Sequence, residues 1–417
     1  MRTLALPAVG LLACSEPEAP PAGPNPPTFY RDAGPLLEKH CVRCHDGAGI
    51  GPGDFRDPAI AGPLSSLMIQ RIDAGEMPPP SSDPACRDYQ DADRFVLDPG
   101  ARDVLAAWAD AGAPNGDPST AVAASFPVRH LDSADHRLTT LAPYSPDFQN
   151  GNEYRCFLLD WNESSDLYLT GFEFQADSTA MSHHAVLYLD SEGTAAGRVT
   201  DPATDSWRCE ASPDSSWMYL HSWAPGSGPI EMAPGTGLKV PGGSQVVVQM
   251  HYFDAGDGAA PDRPGYALTT AESVPTELYY APLGPMDFLI PAGDAAYTDS
   301  ASYSLQTLTG LPLTVTVWGG SAHMHVLGES YDVRYAHPDG AETCLLTGDF
   351  EFANQLTYWF TEPAVVPPDA GTLDISCTWN NSASNPDRIH DNPVDTRWGE
   401  NTDEEMCYAF LYFSATF

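Results

Sequence analysis

Positive charge is what this chain has least of. Its 417 residues include 19 Lys and Arg against 57 Asp and Glu, with lysine only at Lys39 and Lys239, giving a formal net charge of −38. Such a surface repels phosphates and excludes a nucleic-acid partner. A solvated acidic surface is the plainest reading, and adaptation to high salt would look the same. Long apolar runs are missing too, and no segment beyond the N-terminus reads as a membrane span. The 40 prolines and 35 glycines leave little room for long helices and favour short strands and turns. At this length two or three domains are expected.

What is present begins at the N-terminus. Arg2 precedes an apolar stretch from Leu4 to Ala13, which ends in Leu11-Leu12-Ala13-Cys14. A charged start, a short apolar run and a small residue before the cut describe an export signal. Its ending resembles a bacterial lipobox, so residues 1–14 are expected to be a lipoprotein signal with Cys14 as the lipidated residue. An ordinary signal peptide is the alternative. Both send the chain out of the cell as a periplasmic or cell-surface protein, and the first holds it to the membrane by lipid alone. Residues 15–27 are Pro-rich and read as a tether.

Export permits disulfides. With Cys14 set aside, and Cys41 and Cys44 in a motif of their own, six of the nine cysteines remain: Cys86, Cys156, Cys209, Cys344, Cys377 and Cys407.

Residues 28–118 read as helical, with helices expected around Phe29–Cys41, Leu64–Ala74 and Arg102–Ala111 and a stop at Gly112. After a linker over 119–138 the pattern turns to alternation, as in Asp166–Phe174, Ser244–Tyr252, Leu313–Trp318 and Leu373–Trp379. The fold class is therefore mainly β. Two antiparallel, jelly-roll-like sandwiches, 139–282 and 283–417, are expected behind a small all-α domain.

Cys41-Val-Arg-Cys44-His45 has the spacing of a covalent haem site. Two thiols a helical turn apart can add to both vinyl groups, and the adjacent imidazole then meets the iron. Met77, in Gly75-Glu-Met-Pro-Pro79, is the candidate sixth ligand, and core filler is its plain alternative. A His/Met-ligated haem carries electrons rather than oxygen. His40 is expected to face solvent. The region resembles class I cytochrome c domains over 28–118.

Three histidine groups stand out in the β region: His183-His184, His251 and His323-Met-His325. Two residues apart on a strand, His323 and His325 share a face and can chelate one ion. The adjacent pair must sit on a bend to converge and needs a third ligand. Two metal sites therefore follow more readily than one, and imidazoles without thiolates suit copper or zinc. Zinc hydrolysis lacks an accompanying general-base carboxylate. The other histidines, His130, His136, His221, His337 and His390, read as structural.

These groups fall in an ordered series with Trp223-Ala-Pro-Gly226, Pro234-Gly-Thr-Gly237, Gln249-Met-His-Tyr252, Asn381-Ser-Ala-Ser-Asn-Pro386 and Asp403-Glu-Glu-Met-Cys407. Over about 139–417 the series resembles the copper type II, ascorbate-dependent monooxygenases, the family of peptidylglycine α-hydroxylating monooxygenase and dopamine β-hydroxylase. The resemblance implies two stacked sandwiches with a copper in each, facing across a solvent cleft. It implies that His183, His184 and His251 hold an electron-transfer copper. It also implies that His323, His325 and Met406 hold the copper that meets oxygen, although Met406 beside Cys407 would on its own read as core. A thioether beside two imidazoles favours Cu(I). Disulfides Cys156–Cys209 and Cys377–Cys407 are implied as well, and Cys86 and Cys344 are then left over as a pair across domains.

The pattern departs where those enzymes grip a peptide. Ser321 stands where the peptide-hydroxylating members have arginine, and Tyr408 where they have asparagine, so peptide amidation is not expected. The reading is a dicopper monooxygenase that hydroxylates a C–H bond of a small organic substrate with O2. An external donor acting through the fused haem, ascorbate, or both supply its electrons. A non-catalytic copper- or haem-bearing electron carrier is the rival.

Overall fold

The computed structural model describes residues 25–416 apart from 48, 50, 124–129, 132, 150, 179–180, 211–212, 255–258, 400 and 402. The signal segment, Cys14 and most of the tether lie outside the described residues.

Near the N-terminus the chain is helical. A π-helical turn, Phe29–Ala33, runs into an α-helix at Gly34–His40, and helices follow at Pro58–Asp73, Ala92–Phe95 and Pro99–Asp110. Asp57 and Asp98 cap two of them by accepting from the amides of Ala59 and Ala101, each with proline at the next position. The chain then leaves the last helix through Gly112 at φ 80°. Phe29, Leu37, Leu105 and Trp108 form the small core between these helices. His40 belongs to this packing. Only 2% exposed, its Nδ1–H donates to the Arg94 carbonyl at 3.2 Å. The expectation that it faces solvent is corrected: the helix turns that edge inward.

The rest is mainly β and sandwich-like. One nine-stranded sheet runs His136–Thr139, Gly265–Ala271, Leu167–Gln175, Thr236–Val240, Thr276–Leu283, Tyr408–Thr416, Thr314–His323 and Tyr358–Val366, with Ile230–Glu231 beside Leu167–Gln175. A five-stranded sheet covers one half of it: Ser206–Arg208, Asn152–Leu159, Gln245–Phe253, Ser182–Asp190 and Met218–Trp223. A four-stranded sheet covers the other: Tyr297–Ser304, Thr372–Trp379, Gly328–Ala336 and Glu342–Asp349. Strand Thr276–Leu283 joins the halves, pairing in parallel with Thr236–Val240 and antiparallel with Tyr408–Thr416.

Two cores result. Phe157, Leu187, Val248, Phe172 and Leu268 fill the first, and Val317, Val333, Tyr335, Ile375 and Trp379 the second. Strict in–out alternation along Thr372–Trp379 shows how period-2 sequence becomes one buried face. Full burial of such a side chain contributes about 1.5–3 kcal/mol, whereas an exposed ion pair contributes roughly 0–1 kcal/mol. The cores, not the sparse cations, hold this acidic molecule together.

Three disulfides add to them: Cys86–Cys344, Cys156–Cys209 and Cys377–Cys407. They are the chemistry of a compartment that keeps thiols oxidised. Among the described residues no helix is long and apolar enough to cross a membrane. The first disulfide fastens the stretch that follows Met77 onto the second sandwich. Backbone bonds reinforce it: Asp83 donates to Thr347, Gln90 to Trp359, and Thr361 to Asp88.

Candidate metal centre

His183 and His184 open the strand Ser182–Asp190, and His251 lies near the end of Gln245–Phe253 beside it. His184 pairs directly with His251, but the register slips between Ser182 and His184. That bulge is the bend an adjacent pair requires: an extra residue in one strand lets both imidazoles reach the same side. The potential ligand atoms of His183, His184 and His251 all lie within 4.8 Å of one another.

The protein leaves these nitrogens available. His251 Nε2–H donates to Asn152 Oδ1 at 2.8 Å, while its Nδ1 is buried and bonds nothing. Nδ1 of His183 and Nδ1 of His184 are 3.2 Å apart. Burial lowers His183 to about 4 and His251 to about 3. His184 is held well below its ordinary range by burial and then by the imidazoles of His251, His183, His323 and His325. All three are thus neutral at neutral pH, the form in which imidazole ligates. Tyr154 stacks on His251 at 4.3 Å and fixes its plane. An orphaned buried nitrogen inside a neutral imidazole trio fits a borderline ion.

The second group forms where two C-terminal strands meet. His323 ends the strand Thr314–His323 and pairs with Tyr408, and His325 follows just beyond the strand. Their ring centroids are 5.2 Å apart. Each Nδ1 is already engaged. His323 donates to Gln355 Oε1 at 2.5 Å, an arrangement that would turn its Nε2 to an ion, and His325 donates to the Glu404 carbonyl at 3.0 Å. Burial takes His323 down to about 3 and lowers His325 as well.

Met406, 8% exposed, is tied to this pair through Glu405. One oxygen of that buried carboxylate accepts from the amides of His325 at 2.9 Å and Met406 at 3.3 Å and from Trp379 Nε1 at 3.0 Å. The other accepts from Leu327 N at 2.7 Å. Burial still pushes the Glu405 carboxyl up to about 7 against these donors. The Cys377–Cys407 disulfide anchors the next residue. His323, His325 and Met406 thus come to one end of the sheet, residue types that together would suit Cu(I).

The two groups are close. The ring of Phe352 lies 5.2 Å from that of His183 and 6.4 Å from that of His325. Its loop also supplies Gln355. Sequence reasoning did not find Asn152, Phe352 or Gln355, because none sits in a spaced motif. Glu405 was inside a motif but had no role.

In the helical region Cys41 and Cys44 are free, while the other six described cysteines are paired. His45 donates Nδ1–H to the Pro52 carbonyl at 3.1 Å and stacks on Phe55 at 4.1 Å, which leaves Nε2 open. Two reduced thiols beside an oriented imidazole are a donor set that fits a covalent haem. Met77, 40% exposed, lines a cavity of about 510 Å³ with Ile72, Phe95 and Leu97.

No protein-family model and no curated protein sequence matches the chain. Among solved structures, it is similar to a candidate secreted protein of Parabacteroides distasonis at 7% identity, with 70% of this chain and 92% of that one covered and a TM-score of 0.18. It is also similar to the tandem CBM22 domains of Paenibacillus barcinonensis Xyn10C at 11% identity, covering 68% of this chain and 100% of the other, again with a TM-score of 0.18. A third similarity is to the infectious bursal disease virus VP2 subviral particle, at 11% identity, 70% and 73% coverage and a TM-score of 0.16. Scores this low carry no argument about family or function.

Proposed function

We propose that the chain is an exported, lipid-anchored dicopper monooxygenase of the ascorbate-dependent type, with a cytochrome c-like domain fused ahead of two jelly-roll-like sandwiches. The observation that carries the reading is the convergence of His183, His184 and His251 around a buried, unpartnered Nδ1. His325 and Met406, whose amides both bond Glu405, would with His323 make a second, different donor set. A carrier has no need of that second set.

His183, His184 and His251 would hold one copper, His323, His325 and Met406 the other, and Cys41, Cys44, His45 and Met77 the haem. Bound copper supplies one-electron redox chemistry and a place for dioxygen. The protein's own part is geometric. Asn152, Gln355 and the Glu404 carbonyl fix the imidazole tautomers, and burial keeps the imidazoles uncharged. In net terms R–H, O2, two electrons and two protons give R–OH and water. Ascorbate, or an external donor acting through the haem, would supply the electrons.

Metal analysis with visible spectroscopy tests the reading. Two coppers and one low-spin c-type haem per chain are expected, together with oxygen uptake coupled to hydroxylation across a panel of small organic substrates. Full loading without coupled uptake on any substrate would instead make the protein a carrier.

A further inference from the structure

The Cys-x-x-Cys-His loop is docked against the sandwich that carries the first histidine group. Strand Met218–Trp223 pairs with Ser182–Asp190 so that Trp223 lies opposite Ala185, the residue after His184. The chain then turns through Ala224-Pro225-Gly226-Ser227, closed by Ser227 N donating to the Ala224 carbonyl at 3.0 Å. Proline at the second position and glycine with φ 85° at the third make this a type II turn.

Gly226 is required twice over. Besides its positive φ, a Cβ there would lie 2.8 Å from Cys44 Sγ and 2.9 Å from Arg43 Nη1. Backbone and thiol meet with no room for a side chain between them.

The contact is held from several directions. Both terminal nitrogens of Arg43 are buried at this junction, and its guanidinium lies 4.5 Å over the Phe95 ring. Phe95 and Gln90 from the helical region, Ser227 and Gly228 from the turn, and His221 and Trp359 from the sheets wall one cavity of about 30 Å³. Gln90 also donates from Nε2 to the Glu231 carbonyl at 3.1 Å. With the Cys86–Cys344 crosslink, these bonds hold the helical region in one place.

We propose that the Trp223–Gly226 segment is a built electron bridge, joining the haem-attachment thiol Cys44 to the His183/His184 group. The route runs from Cys44 to Gly226, along three residues to Trp223, and across one strand pairing to Ala185 and His184. The step is a single-electron transfer in which ferrous haem becomes ferric as the cupric ion becomes cuprous, with no bond made or broken. Gly226 and Trp223 are positioning residues. This inference rests on the proposed function.

The test uses the full chain, haem-matured and loaded with Cu(II), without oxygen. One electron is delivered to the haem, and the decay of the ferrous band is followed alongside loss of the cupric resonance signal. In the parent protein the decay is expected to be independent of protein concentration. Gly226→Ala and Arg43→Ala, which disturb the contact from opposite sides, should each slow it by at least an order of magnitude while haem spectrum and copper content stay unchanged. Amide exchange on the unloaded chain gives a second readout. In Gly226→Ala, protection should fall at both 41–47 and 224–228, since the two surfaces separate together.

Unchanged decay in both variants overturns the bridge, and so does loss of protection confined to 224–228. Those results leave coupled oxygen uptake intact and hence the proposed function standing. A chain that binds no copper overturns both.

Discussion

Glu405 is fully buried and accepts four N–H donors, three of them backbone amides that frame His325 and Met406. Glutamine keeps the shape but turns an NH2 group toward donors that need an acceptor, and a buried unsatisfied donor costs about 1–3 kcal/mol. Glu405→Gln should therefore lower stability by about 2 kcal/mol in denaturant unfolding. A change within error would show that the amides find other partners. Gln355 acts one step further out. With Gln355→Leu, His323 loses its Nδ1 acceptor, and copper affinity at the second group should fall by about 10–100-fold, the scale of such supporting contacts. A chelator-competition titration reads this out, with the first group as internal control. Equal weakening of both groups would count against the assignment. The candidate histidines could be read in the sequence because spacing marks them. Glu405 and Gln355 could not, since a hydrogen bond to a backbone amide or an imidazole leaves no pattern along the chain.

Among the elements, the strand Ser182–Asp190 and the stretch from Ser81 to Ala92 contribute most. The first is bulged, and its slip between Ser182 and His184 brings neighbouring imidazoles to one side. Sequence alternation locates such a strand well, but a bulge is one unpaired residue and depends on its partner's register. The second element connects helices to sandwich. It has no strand pattern of its own, yet Tyr89 bridges to Phe360 and packs into the second core. Its crosslink, Cys86–Cys344, closes a separation of 258 residues. Cys86→Ser paired with Cys344→Ser should cost about 2–4 kcal/mol, because the unfolded chain regains the entropy of that loop. Unfolding under non-reducing conditions reads the loss. An unchanged midpoint would mean that the backbone bonds at Asp83 and Gln90 suffice.

For the whole molecule, the central fact is one continuous sheet shared by two cores, with the two histidine groups within a phenyl ring of each other. Ions held by the folded chain alone stabilise it by mass action, by about 4 kcal/mol at a thousandfold excess over Kd. Copper should therefore raise the thermal midpoint in calorimetry, and His251→Ala should lose part of that rise. A midpoint insensitive to copper would argue against folded-state sites. The sequence by itself determined the helical-then-β order, the chemistry of each ligand type and the existence of two spaced histidine groups. Those properties follow from local periodicity and side-chain identity. Only the tertiary structure decided that Phe352 lies against both groups and that Cys44 meets Gly226. Such contacts join residues far apart in the chain, and their geometry is fixed by how sheets pack, which no short window of sequence encodes.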